Sequence, residues 1–267
     1  MGAGAEFSIL IPAFVAGLIV LATHVPLGQQ VLRRGIVFID LAIAQVAGLG
    51  VTVAGAFGSD PHGWQVQVAA CAAALAGALL LTWTEKAWPA VQEALIGVLF
   101  VAAACVELLL LSNNPHGGEH LKDLLTGQIL YVSLSQLWPI ALFYAAALAL
   151  WFGLREQLGM VGFYVLFALV VTQSVQLVGV YLVFASLIVP ALATAGMRGR
   201  SRMVAAYVIG ALGYVLGLGL SAVLDLPSGA MIVWTLAGCA LMAQAVPMVR
   251  RSHPSHAAAE PVFDAGA

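Results

Sequence analysis

The stretch Arg33–Gly50, RRGIVFIDLAIAQVAGLG, carries a carboxylate, Asp40, inside an apolar run about as long as one membrane crossing. A charge at the middle of a bilayer costs roughly 2.5–3.5 kcal/mol even on lenient insertion scales, so a segment that only had to cross would not keep one. Two readings fit the residues. Asp40 sits shallow and pairs with Arg33 or Arg34, or it faces the bundle interior and binds a cation. On a helix, Ala44, Ala47 and Gly48 share its face at i+4, i+7 and i+8. Small residues there admit a neighbouring helix or leave room for an ion. The chemistry in view is reversible cation binding, with no covalent step.

Other residues could join or accompany such a site. His24, in ATHVPLG, reads as a hydrogen-bonded packing residue or as a second ligand, next to carbonyls that Pro26 and Gly28 would expose by ending the first helix. Gln45 follows Asp40 by five residues, a rotation of about 500° that turns it some 140° away on a regular helix. The sequence therefore predicts either an i→i+5 bulge in this helix or a site that omits Gln45. Glu107, in CVELLLLS, is a second carboxylate in an apolar run and is read as lying near the outer interface. Thr172, Gln173, Ser174 and Gln176 crowd one later run, with Gln173 and Gln176 on one face. They serve as interhelical glue or as a polar wall lining a pathway. Gly179 and Pro190 interrupt the following run, as happens where transporter backbone lines a cavity.

HGGEH, His116 to His120, matches the H-x-x-E-H pattern of some zinc peptidases, which needs a helix to bring both histidines to one metal. Pro115, Gly117 and Gly118 argue for a loop instead. His116, Glu119, His120 and Asp123, joined by His62 in SDPHGW, are then a solvated polar surface, a transient metal site or a docking place for a partner. An intramembrane enzyme would need a catalytic dyad at one depth, and the sequence offers none.

Composition sets the elements that must position these groups. Of 267 residues, 62% are hydrophobic and 8% charged, with mean hydropathy +1.02. Soluble domains carry roughly 25% charged residues, so this chain cannot cover a water-facing surface and is expected to be an all-α, polytopic transmembrane bundle. The apolar runs are too long, and alternate too little, for barrel strands. They fall near 7–27, 36–57, 65–83, 94–112, 138–154, 160–178, 180–196, 204–224 and 229–248. The sixth and seventh form one block divided at Gly179, so the count is eight if that block is one span and a re-entrant piece.

Arg33 and Arg34, Lys86, Arg155, Arg198 with Arg200 and Arg202, and Arg250 with Arg251 all fall in alternate connections; the others carry only Lys122. The positive-inside rule then puts the N-terminus outside and the C-terminus in the cytoplasm. Residues 1–248 read as one transmembrane domain and 249–267 as a disordered tail. The opening segment lacks the basic region of a signal peptide, and Met1–Gly2 lacks the downstream Ser or Thr of a myristoylation site. Cys71, Cys105 and Cys239 have no metal or redox spacing and read as packing residues. There is no ATP-binding P-loop and nothing that points to nucleic acid.

Taken in order, these segments resemble the membrane permeases of ABC-type zinc/manganese/iron importers over roughly residues 10–245. VLRRGIVFIDLAIAQVAGLG is similar to that family's paired basic residues, membrane aspartate and closing glycine. EALIGVLFVAA, LLTGQILYVS, VGVYLVFASLIVPALATA and LDLPSG resemble its later segments. The resemblance implies a homodimer, or two related chains, in membrane lipid. It also implies two cytoplasmic ABC ATPase subunits, an extracytoplasmic metal-binding protein, and a divalent metal, zinc or manganese, as cargo with no covalently bound cofactor. Asp40 would be the central ligand, with His24 and Gln45 secondary, and Arg33, Arg34, Arg155 and Glu156 would lie at the ATPase interface. The family's histidine four residues after the aspartate is Ala44 here. Its loss weakens the case for zinc, since oxygen donors suit harder ions. The family's long cytoplasmic loop shrinks to GLREQLGM, Gly153–Met160. That keeps open a second reading, a stand-alone proton-coupled transporter or exporter with Asp40 as proton carrier.

Overall fold

The computed structural model describes residues 3–58, 63–111 and 129–251. Among these the regular structure is entirely helical: α1 (Ala3–Arg34), α2 (Ile39–Ala56), α3 (Trp64–Ala87), α4 (Gln92–Leu111), α5 (Leu134–Val178), α6 (Val180–Ala193), α7 (Gly199–Leu224) and α8 (Ser228–Arg251). α5 breaks at Leu154 and at Gly159, where φ is +58°, and so comprises two spans, α5a (Leu134–Leu154) and α5b (Gln157–Val178). Eight helices are thus long and apolar enough to cross a membrane, and α6, at 14 residues, is shorter. This matches the reading of one interrupted block. The interruption is at Gly179, whose φ of +82° only glycine adopts without strain.

The ends of these helices that carry the basic residues gather on one side. Arg34, at the end of α1, lies 3.7 Å from Glu85 at the end of α3 and stacks over Phe163 near the start of α5b. The backbone N–H of Phe38, just before α2, donates to Glu93 in the first turn of α4. Gln29, Arg33, Trp151 and Arg198 line one cavity, which brings the end of α1, the end of α5a and the start of α7 together. The alternation deduced from the charges appears as geometry: α1, α3 and α5a end at this side, α2, α4, α5b and α7 begin there, and the short α6 brings the chain back between α5b and α7. We refer to this side as the basic end.

Small residues decide which helices touch. α6 is buried along most of its length and packs against α1 and α8. At Gly28 of α1 a Cβ would lie 1.9 Å from the backbone oxygen of Leu187 in α6. At Gly217 of α7 it would lie 2.4 Å from Cα of Ile232 in α8. Backbones this close gain dispersion contact in a medium where lipid tails provide no hydrophobic drive for association.

The sequence expected Pro26 and Gly28 to end the first helix, and they do not: α1 continues to Arg34. Pro26 has no N–H for the carbonyl of Ala22, four residues earlier. The phenol of Tyr207 in α7 donates to that carbonyl at 2.9 Å and fills the gap.

Gly28→Ala should therefore lower the melting temperature of the purified protein clearly, by an overpacking penalty on the order of 1–3 kcal/mol. Gly55→Ala, where nothing lies within 4 Å of the added carbon, should leave it near the wild-type value. Thermal unfolding in detergent followed by size exclusion measures both.

Candidate functional site

Asp40 occupies the second position of α2 and is 1% exposed. The chain reaches it through a tight reversal that begins at Gly35, with φ of +71°, and closes through Ile39 N–H to the oxygen of Ile36 at 3.3 Å. The turn sets the carboxylate by the first amides of α2, where the helix dipole favours negative charge. Neither Oδ1 nor Oδ2 has a side-chain partner among the described residues; only the backbone amides of Asp40 and Leu41 lie beside them. The reading of a shallow aspartate paired to arginine is half met: Asp40 lies at the basic end, yet Arg33 is exposed and Arg34 is engaged by Glu85 and Phe163. Two further acids approach this end with an unpartnered oxygen each, Glu93 at Oε2 and Glu85 at Oε2.

His24 is fully buried inside α1. Its Nδ1 lies 2.9 Å from the oxygen of Val20 and must carry the proton to donate there. That leaves Nε2 as a lone pair, and it has no partner among the described residues. A neutral ring fixed this way is the form in which histidine binds metal. Ten residues separate His24 from Arg34, about 15 Å of helix, so the ring sits deeper than the basic end. No hydrogen bond or ion pair joins it to Asp40 among the described residues.

α2 runs as a regular α-helix, without a bulge, and turns Gln45 away from Asp40. The Gln45 amide donates instead to Glu107 Oε2 in a close contact, and Thr52 Oγ1 donates to Glu107 Oε1 at 2.9 Å. Glu107 is thus not at an interface with solvent or lipid, as its sequence neighbours implied, but buried at 1% exposure. The signal for this was present: Gln45 and Thr52 are seven residues apart on one face of α2.

The remaining candidates separate. Thr172 bonds the oxygen of Ala168 in its own helix, Gln173 accepts from Gln67 of α3 at 3.2 Å, and Gln176 is exposed. Ser174 pairs with the Tyr144 phenol across the α5 break. Arg155 and Glu156 lie at the α5 break, and their side chains fall outside the described residues. His62, His116, Glu119, His120 and Asp123 also lie outside them, as do residues 252–267 of the expected tail.

Two cavities flank these groups. One, of about 250 Å³, opens at the basic end between Gln29, Arg33, Trp151, Arg198 and Arg202. The other, of about 560 Å³, is a groove between α2, α4, α6 and α8, walled by apolar side chains such as Leu41, Phe184 and Val233, with Gln45 as its most polar member. Sequence reasoning missed Glu85, Glu93 and the Arg198–Arg202 wall, because short charged segments at helix ends look like ordinary solvated turns.

The fold resembles PsaBC from Streptococcus pneumoniae, solved in complex with a Fab, with a TM-score of 0.69, 22% identity, and coverage of 91% of this chain and 94% of that one. It also resembles an inward-facing metal-chelate type ABC transporter, with a TM-score of 0.65, 16% identity, and coverage of 89% and 85%. Among curated proteins no relative matches. The family model for the ABC 3 transport family matches residues 6–163 and 141–247. With eight helices among the described residues long and apolar enough to span, the chain is a multi-pass protein of the bacterial inner membrane and belongs to the ABC 3 transport family, as a membrane permease subunit.

Proposed function

We propose that this permease imports a divalent transition metal, zinc or manganese, taking it from an extracytoplasmic binding protein and driven by separate cytoplasmic ABC ATPases. The observation that carries the reading is Asp40: a buried carboxylate with no side-chain or cationic partner for either oxygen among the described residues, at the end of a span. A fixed anion in a desolvated place has to be compensated, and a passing dication does so while the carboxylate offsets part of its lost hydration. The lone pair of His24, deeper in the bundle, supplies a nitrogen that borderline metals accept. PsaBC and the metal-chelate type transporter share the fold, which supports the assignment to a metal-type importer.

In this reading the basic end faces the cytoplasm, the N-terminus lies outside and the C-terminus inside, as the placement of the arginines favours. Exposed Arg33, together with Arg155 and Glu156, meets the ATPase, and Arg34 braces α1 against α3 and α5b. A second copy of the chain covers the groove between α2, α4, α6 and α8 and completes the passage. The loops at 58–64 and 113–124 receive the binding protein. Transport proceeds by alternating access, with the cation moving between fixed donors.

Asp40→Asn, reconstituted in proteoliposomes with its ATPase and binding protein, should lose metal uptake by about tenfold or more while still assembling with the ATPase. Unchanged uptake would remove Asp40 from the route. Uptake should follow ATP and ignore a protonophore; the opposite dependence would favour the proton-coupled reading.

A further inference from the structure

The cavity of about 250 Å³ at the basic end gathers positive charge that the described residues do not offset. Arg33 lies in the last turn of α1, Arg198 caps α7, Arg202 follows one turn into α7, and all three line this cavity. Among the described residues the ion pair at this end joins Arg34 to Glu85 and engages none of the three. The start of α7 adds to the charge. Its first turn has no acidic residue and Arg198 makes no side-chain cap bond, so the open amides and the helix dipole there favour an anion. Gly199, with φ of +64°, leaves that turn uncovered: a Cβ on it would meet nothing within 4 Å. From α1, Gln29 lines the same cavity. It is 7% exposed, and its Nε2 has no partner among the described residues; nor has Nε of Arg202. Buried donors without an acceptor are costly, and here they share one space with three like charges.

We propose that this cavity binds a phosphate group, held between the end of α1 and the start of α7 by Arg33, Arg198, Arg202, Gln29 and the first amides of α7. The wall has guanidinium groups and no carboxylate. Phosphate suits such a wall, because its oxygens accept from planar guanidinium forks and from a helix N-terminus at once. The cavity is several times the ~30 Å³ that a water occupies in the liquid, so the group fits with part of its hydration. A lipid headgroup and soluble phosphate carry the same chemistry. Exposed Phe152 and Met197, which also line the cavity, give acyl chains an apolar bed beside the arginines. Binding needs neither cargo nor ATPase, so the site stands apart from the importer reading. Arg33 is shared with the ATPase face proposed above, and the test therefore turns on α7.

Purified full-length protein in neutral detergent is unfolded thermally while dihexanoyl-phosphatidylglycerol or inorganic phosphate is added, each against chloride at equal ionic strength. At least one of the two should raise the melting temperature by a few degrees, and Arg202→Gln should need at least about tenfold more of it for the same rise. Arg200→Gln, whose side chain does not line the cavity, should respond as wild type. A response to the lipid alone assigns the site to a headgroup with its chains. A response to inorganic phosphate, with or without one to the lipid, assigns it to the phosphate group itself. No response to either, or an unchanged response in Arg202→Gln, overturns the proposal. So does an equal loss in Arg200→Gln, which would trace the effect to diffuse surface charge. If Arg202→Gln does not fold, Arg198→Gln takes its place: a weakened response supports the site and an unchanged one overturns it.

Discussion

Inside a bilayer no water is at hand to satisfy a polar group, so each one must find its partner within the chain. That constraint organises this protein. The carbonyl left open by Pro26 is met by Tyr207. Hydroxyls of Thr82, Thr172 and Ser174 turn back on their own helices. Glu107 is held by two donors from α2, and Gln67 reaches across to Gln173. Against this background a few buried polar atoms of the described residues lack a side-chain partner: both oxygens of Asp40, Nε2 of His24, and single atoms of Gln29, Glu85, Gln92, Glu93 and Arg202. On the proposed reading, a transported cation is the partner that the Asp40 and His24 atoms await.

Much of the fold could be read from the residues alone. Apolar run length gives spans directly, because bilayer thickness and helix rise leave little choice. The break at Gly179 was legible because two long apolar runs met at a residue free to take positive φ. The alternation of arginines gave the antiparallel order, and the ion pair of Arg34 with Glu85 makes the same order visible in space. The signature stretch around Asp40 also carried enough information to point to the family before any coordinates.

What stayed hidden depends on residues far apart in sequence. Nothing near Pro26 announces that a phenol 181 positions later will rescue its helix. Nothing near Glu107 reveals its depth, since one carboxylate in an apolar run looks the same at a boundary and in the interior. Periodicity did predict the orientation of Gln45: five residues on a straight helix point elsewhere, and they do. Only the identity of what lay in that other direction required the packing of α2 on α4.

The phenol of Tyr207 also fastens two helices that are distant in the chain. α1 brings His24, and α7 opens with Arg198–Arg202 beside the cavity at the basic end. A hydrogen bond into a proline-freed carbonyl is not easily exchanged, because in lipid that oxygen has no substitute donor. A rocking of this bundle that keeps the bond would carry α1 and α7 together. A push delivered at the mouth of α7 would reach the imidazole without any helix having to unwind.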